Sequence, residues 1–486
     1  VIFNDEIITK EGDFNMDVIN NIVVSINDVL YQPWCVPTLL IVVGLYFTIR
    51  TKFMQGRMFT EMFKVVLEKP TSEDGVSSFG ALMVSTASRV GTGNIIGVST
   101  AICLGGPGAI LWMWVTAIIG GANAFIESTL AQIFKKKDDD GTFKGGPSYY
   151  MRDRLNARWL GIIFSVLIIF TYAVGYNMLA AYNLQSTFGA FDFYNSSTPY
   201  IIGIILAVLF GVIVIGGAKR LFKVTEYMVP FMGVIYIAVS IAVLVINAKH
   251  IGTMFSTIFA SAFDFKSIFG GFAGSCVMWG LKRGLYSNEA GMGSAPNAAA
   301  RADVSHPVKQ GLVQTLSVFI DTILICGATA FMCLSTTGVT PTAELSGAPY
   351  VQACMAESLG AFGPIFLTFA MSIFAFTTLI GNYSYCEGCL EFIINREAKK
   401  SETLVFRIIA TVLVFVGAVA TAELVWNTAD MAQGLMVVCN IPAIFLCGGI
   451  AVKALNDYTR QSKEGKNPVF KAADIGLDPD KLDHWK

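Results

Sequence analysis

"RVGTGNIIG", Arg89 to Gly97, lies inside a long apolar run from Val76 to Cys103. A helix that only spans a bilayer carries Leu, Ile and Val at its centre. Here two glycines, a threonine, an asparagine and an arginine stand there instead. Glycine lets a chain leave helical geometry without a side-chain penalty. A helix broken at this depth leaves free N–H groups and free carbonyls in the middle of the membrane. The spacing Gly91, Gly93, Gly97 does not make a dinucleotide loop. It has no strand before it and one residue too many before the third glycine.

The composition supports a membrane setting. The chain has 486 residues, 54% hydrophobic and 14% charged, against roughly a quarter charged in soluble domains. A net charge of −1 gives no electrostatic case for nucleic acid. Apolar runs long enough to cross roughly 30 Å of hydrocarbon recur throughout. They are too long for barrel strands, so the expected class is an all-α integral membrane protein. Ten cysteines and three histidines show no metal or disulfide framework, and Cys386 and Cys389 read as small packing residues. The first 30 residues are polar and acidic, so no cleavable signal peptide is expected.

Eleven spans are expected, at 34–51, 77–103, 107–134, 158–188, 199–216, 224–247, 265–298, 308–336, 362–394, 404–424 and 430–456. Every second link is basic, with Lys52, Arg57, Lys64 and Lys69 in one and Lys135, Lys136, Lys137, Lys144, Arg152 and Arg154 in the next. Links 189–198, 337–361 and 425–429 contain no Lys or Arg. The positive-inside rule then puts the N-terminus outside and the C-terminus in the cytoplasm of a multi-pass plasma-membrane protein. Residues 53–69 are amphipathic with basic flanks and read as an interfacial helix. Residues 138–147 read as a polar turn, and 457–486 as a charged cytoplasmic tail with no evident chemistry.

Setting the first span aside, spans 2–6 (77–247) and 7–11 (248–456) form two halves of opposite topology, after a leading region 1–76. Each half opens with a Gly-rich span. In the second half the interruption falls within "WGLKRGLYSNEAGMGS", Trp279 to Ser294. Interruptions in matching places of inverted halves point to the binding site of a secondary transporter. Free N–H groups at a half-helix start favour a carboxylate, and free carbonyls favour a cation. A zwitterionic amino acid with Na⁺ fits both ends, and Thr92 and Asn94 add side-chain groups.

Other polar residues lie at membrane depth. Asp321, in "VFIDTILI", is costly there and must face the bundle; it reads equally as a coupling residue and as the anchor of a broken helix. Arg89, one turn before the break, pairs with an acid or ties loose carbonyls. Glu127 and Glu387 read as structural. Lys282, Arg283 and Glu289 read as charge pairing that holds the inner half-helix. Thr377 and Thr378 are adjacent hydroxyls that offer oxygens to a hard cation.

"VGTGNIIGVSTAICLGGPGAILWMW" (90–114), "GGPSYYM" (145–151), "GLKRGLYSNEAGMGSAP" (280–296), "VFIDT" (318–322) and "TTLIGNYSYCEG" (377–388) together resemble the alanine/glycine:cation symporter family. The resemblance runs from about residue 31 to 456. It implies a leucine-transporter-like inverted repeat of five plus five helices preceded by one more, and symport of a small neutral amino acid with Na⁺, or with H⁺. By motif it implies that the Thr92 and Gly93 amides receive the substrate carboxylate, with Asn94 beside them. It places Na⁺ on the carbonyls of Ala87 and Val90 and the hydroxyls of Thr377 and Thr378. It puts Trp279 and Gly280 along the second break. Asn382 stands where Trp is more usual and Trp279 where Gln is, which leaves glutamine open as a substrate beside alanine and glycine. No organic cofactor or covalent chemistry is required. A channel would need a continuous polar pore, and an enzyme a nucleophile–base set or metal ligands; neither pattern is present in the sequence.

Overall fold

The computed structural model describes residues 18 and 20–485, except 73–74, 138–140, 265–270 and 272–273 and the side chains of 218, 219 and 222. A short helix over 20–30 leads to α1 (Val36–Arg50). Then come α2 (Phe59–Val66), α3 (Ser78–Arg89), α4 (Ile96–Gly105) and α5 (Ala109–Ile133). A hairpin pairs β1 (Lys136–Lys137) with β2 (Phe143–Lys144), antiparallel. Next are α6 (Pro147–Leu155), α7 (Arg158–Ala190), α8 (Thr198–Ile215) and α9 (Ala218–Ile246). The chain continues with α10 (Ile251–Ala262), α11 (Cys276–Asn288), α12 (Pro296–Ala299), α13 (Pro307–Leu334), α14 (Ala348–Leu359), α15 (Phe362–Ile394), α16 (Lys400–Val419) and α17 (Ala422–Lys463).

Among the described residues eight helices are long and apolar enough to cross a membrane: α5, α7, α8, α9 from Lys223, α13, α15, α16 and α17. Helix α1 and the stretch Thr92–Gly105 are apolar but shorter. The outer faces of α8 and α16 leave Ile201, Ile204, Leu209, Ile408 and Val412 about half exposed. So continuous an apolar surface belongs against lipid.

The sequence pattern explains where the helices stop. Ser77 caps α3 by accepting from the Gly80 amide at 2.9 Å, the usual role of a serine at this position. The helix ends at Arg89, because Val90 turns extended (φ −79°, ψ 94°) and Gly91 follows at φ −151°, ψ −148°. A 3₁₀ turn over Thr92–Asn94 re-enters helix at Ile96. The expected seventh span is likewise discontinuous, and its first residues lie outside the described ones. Helix α11 ends at Asn288; Glu289 is left-handed (φ 56°), as are Gly291 (φ 88°) and Gly293 (φ 85°). Helices α7 and α13 each contain a π-helical stretch, Phe170–Tyr176 and Phe319–Cys326, which no sequence signal announced.

Helix α5 packs along α11 and α13, α3 along α15 and α9, and α8 and the end of α7 along α16. The amphipathic stretch is helical as expected, with Met62, Val65 and Val66 buried and Phe59 and Phe63 exposed. Two expectations need correction. The polar turn ends at β2, and its last residue, Pro147, opens α6; residues 138–140 lie outside the described ones. The tail after 456 is not a bare charged extension. Helix α17 continues to Lys463, and the chain then folds back, with Trp485 buried and its Nε1 donating to the Gln132 carbonyl at 2.7 Å.

Candidate functional site

The first break is fully buried from Ser85 to Ile102. Thr92 and Gly93 open the 3₁₀ turn, so their amides have no carbonyl one turn back within it. Asn94 holds the turn in shape. Its Oδ1 accepts from the Gly91 amide at 2.7 Å, and its Nδ2 donates to Asp321 Oδ1 at 2.6 Å. The other oxygen of Asp321 accepts from Ser287 Oγ and Thr322 Oγ1, both at 2.7 Å. Ser287 is the penultimate residue of α11. One carboxylate on the π-stretch of α13 therefore ties the two interrupted helices together, which favours the anchor reading of Asp321.

Thr378 meets the first break from α15. A Cβ at Gly91 would collide with its Oγ1, and that oxygen is buried without a hydrogen-bond partner. An orphaned buried hydroxyl costs about 1–3 kcal/mol, so it suits a position where a cation supplies the missing partner. Thr377 is arranged differently. Its hydroxyl lies 3.0 Å from the Ile373 and Phe374 carbonyls of its own helix, which commits the proton and leaves only its lone pairs. Helix α15 reaches α3 closely because residue 381 is glycine: a Cβ there would strike the backbone at Ala87 and Ser88.

Below the break, buried acids surround one buried guanidinium. Arg89 Nη1 donates to the backbone and side-chain oxygens of Gln314, each at 3.2 Å. Its charge also acts on Glu127, Glu289 and Asp321. Glu289 lies 2.9 Å from Ser88 Oγ and 2.7 Å from Ser294 Oγ. Glu127 accepts from Asn440 Nδ2 at 2.8 Å and from the Gly291 amide at 3.4 Å. Glu387 pairs with Arg407 at 2.7 Å. Asn382 lies against Ser88 Oγ (2.6 Å) and Asn177 Oδ1 (3.0 Å), so it braces α3 on α7 and α15.

Two expectations about the second break change. Trp279 and Gly280 do not line it. They sit in the first turns of α11, and Glu289 is nine residues beyond Gly280, roughly 13 Å along a helix. Gly280 is small because α5 packs on it, with Ala109 O 2.6 Å and Trp112 Cβ 2.7 Å from where a Cβ would lie. Trp279 covers Gly105 of α4. Nor do Lys282 and Arg283 pair with Glu289: both reach Asp430 Oδ2 of α17 at 2.8 Å.

The residue that faces the first break from α11 is Tyr286. Its ring would lie 2.7 Å from a Cβ at Gly93, and its hydroxyl is 3.5 Å from Thr92 Oγ1. Asn183 of α7 donates to the same threonine oxygen at 3.1 Å. Above Tyr286 lie the rings of Tyr176 (4.9 Å) and Trp426 (5.3 Å), and Arg283 stacks on Trp426 at 4.3 Å. Tyr176, Gln433, Tyr31 and Asp430 continue this cover as a hydrogen-bond chain. Tyr286 and Asn183 escaped notice in the sequence. Their only signal was a polar group within an apolar span.

Two interrupted helices, joined back to back and covered by an ion pair, define a multi-pass carrier built like the leucine transporter. The solved structure of MhsT in complex with L-phenylalanine shares this fold, with a TM-score of 0.54 at 15% identity over 83% of this chain and 92% of that one. The chain belongs to the sodium:alanine symporter family, whose model matches residues 16–472. The amino-acid carrier protein AlsT of Bacillus subtilis is 44% identical over 437 residues, 90% of this chain and 92% of its own. The probable sodium/glutamine symporter GlnT of the same organism is 44% identical over 459 residues, 93% of each. The sodium/alanine symporter AgcS of Methanococcus maripaludis is 37% identical over 470 residues, 93% of this chain and all of its own.

Proposed function

We propose that this protein is a secondary active transporter that couples the entry of a small neutral amino acid to Na⁺ by alternating access. The observation that carries the reading is the pair of broken helices that Asp321 joins, with the orphaned Thr378 hydroxyl against the first of them. The substrate carboxylate sits on the Thr92 and Gly93 amides. Na⁺ sits between the carbonyls of Ala87 and Val90 and the hydroxyls of Thr377 and Thr378. Tyr286, rather than Trp279, limits the side chain, and its ring over Gly93 favours alanine or glycine. The names of the relatives support the coupling ion and an amino-acid cargo. They do not choose between alanine and glutamine, since AgcS is named for alanine and GlnT for glutamine.

The wider arrangement follows from this reading. Eleven spans form a five-plus-five inverted repeat behind α1, with the N-terminus outside and the tail in the cytoplasm. Arg283, Lys282 and Asp430 close the outer side. Na⁺ favours one conformer, and bound substrate completes the set of contacts that lets the molecule isomerise. H⁺ coupling is the second reading, and one observation favours it: Glu127, Glu289 and Asp321 share a single buried guanidinium, that of Arg89.

Purified protein in liposomes tests the proposal. An inward Na⁺ gradient should drive saturable alanine uptake, and glycine should compete better than glutamine. Uptake that follows a proton gradient and ignores Na⁺ would replace the first reading with the second. Ionic conductance without saturable uptake would overturn both.

A further inference from the structure

We propose a second site, distinct from the transport path, that binds the headgroup of an anionic phospholipid. A cavity of about 510 Å³ opens where the end of α1 meets the end of α17. Its wall carries Arg50, Lys52, Arg57, Arg460 and Lys463 against one acid, Glu464. Two of these charges are already committed, Arg460 to Asp457 at 2.5 Å and Glu464 to Lys466 at 2.7 Å. Arg50 meets only the neutral Tyr46, its hydroxyl at 2.8 Å and its ring at 5.5 Å, and Arg57 only the Thr51 carbonyl at 3.3 Å. Among the described residues no carboxylate lies within ion-pair distance of Arg50, Lys52, Arg57 or Lys463. Four unpaired cations around one hollow call for an anion with several oxygens, and arginine forks suit a phosphate.

The surroundings choose the source of that phosphate. Lys52 and Phe53 are both left-handed (φ 55° and 51°), an unusual conformation for residues with side chains. This turn holds the lysine in the cavity wall while Phe53 stays half exposed. Next to Arg50 in the chain Ile49 is 75% exposed, and Phe59 and Phe63 on the helix that follows Arg57, with Leu67 at its end, are exposed as well. A free phosphate has no use for these side chains. A phospholipid does, because its acyl chains lie against them while its head enters the basic hollow. Basic pockets at the membrane surface take anionic headgroups for this reason. A headgroup there bridges the ends of α1 and α17, just before the chain folds back as the tail.

The test is native mass spectrometry of the full chain from mixed phosphatidylglycerol and phosphatidylcholine. Phosphatidylglycerol should stay bound and phosphatidylcholine should leave. The variant Lys52→Asn with Lys463→Gln should weaken retention roughly 30-fold, since each basic side chain at an anionic surface contributes about fivefold. Asparagine tolerates the left-handed turn, and melting in phosphatidylcholine checks that the variant is folded. Lys64→Gln, on the exposed face of α2 and 73% open, should retain the lipid. Equal retention of both lipids by the parent overturns the site, as does undiminished phosphatidylglycerol on the double variant or an equal loss on Lys64→Gln. Glycerol 3-phosphate binding as tightly without lipid overturns the choice of a phospholipid. Retention is read without any Na⁺ gradient, so this result stands apart from the uptake experiment.

Discussion

The two adjacent threonines illustrate how much one helical step changes at the scale of a residue. Thr377 and Thr378 are chemically identical and both buried, yet only Thr378 Oγ1 lacks a partner. The Thr377 proton is held by its own helix, and the Oγ1 also lies 3.3 Å from Met232 Sδ. At the proposed site, a cation entering beside Gly91 would therefore gain most from Thr378. Thr378→Val should raise the Na⁺ concentration for half-maximal uptake roughly tenfold or more, the loss of a charge-assisted contact of about 1.5–3 kcal/mol. Thr377→Val should raise it less. Titration of alanine uptake against Na⁺ checks the order, and equal effects from the two variants would remove Thr378 from its special place. Valine also removes an orphaned polar atom, so the Thr378 variant should melt no lower than the parent when Na⁺ is absent.

At the scale of the element, the first break was readable because glycines and polar residues stand in the middle of an apolar run. The second was readable only as a region. Trp279–Gly280 looks like a break in one dimension, but Gly280 serves close packing on α5, whereas Gly291 and Gly293 take left-handed φ. Sequence does not separate these two uses of glycine, because the difference lies in a neighbouring helix. The same limit hid Asp430 as the partner of Lys282 and Arg283, and Tyr286 as the residue over Gly93. Hydroxyls and carboxylates at membrane depth showed that something must pair with them, but not what. Gly381 is the case in which packing and site meet. Its contact with Ala87 and Ser88 sets the distance between α15, which carries Thr378, and α3, which carries the Ala87 carbonyl and leads into Val90. Gly381→Ala should force these helices apart at a cost of about 1–3 kcal/mol. The expected result is a weaker dependence on Na⁺ together with a lower melting temperature. A variant that melts lower but keeps the parent's Na⁺ dependence would place the cation elsewhere than between α3 and α15.

At the scale of the whole molecule, the tail turns a set of helices into a closed lower face. Phe470 donates its amide to the Ser305 carbonyl at 2.9 Å, and Ser305 Oγ donates to the Pro468 carbonyl at 2.8 Å, just after α12. Lys309 reaches both Glu68 (2.5 Å) and Asn467 (2.7 Å). The Lys135 ammonium lies 3.9 Å over Phe143 and 5.2 Å from Trp485, and His484 meets both rings edge-on. Three bases in this interface titrate away from their ordinary values in the same direction. Burial pushes His306 down to about 4, against the pull of Asp457 and with help from Lys309. Burial and then Lys135 push His484 down to about 4. Burial lowers Lys135 to about 7 against the pull of Asp303. Each docked value lies below the free one, about 6.5 for histidine and about 10.4 for lysine. The undocked tail region therefore binds more protons, and docking weakens as pH falls. For the histidines the window runs from about 6.5 down to 4; for the lysine it runs from about 10.4 to 7. Between pH 7.5 and 5, buried His306 alone removes about 2 kcal/mol, at about 1.4 kcal/mol per pH unit once the free ring titrates, while the more open His484 removes less. Limited proteolysis at pH 7.5 and pH 5, with a protease active at both, should cut the segment after Lys463 faster at the lower pH. His306→Gln should flatten that difference, because glutamine keeps polar contacts but takes no proton. Equal cutting at the two pH values would mean that the tail is held by contacts other than those of these three bases.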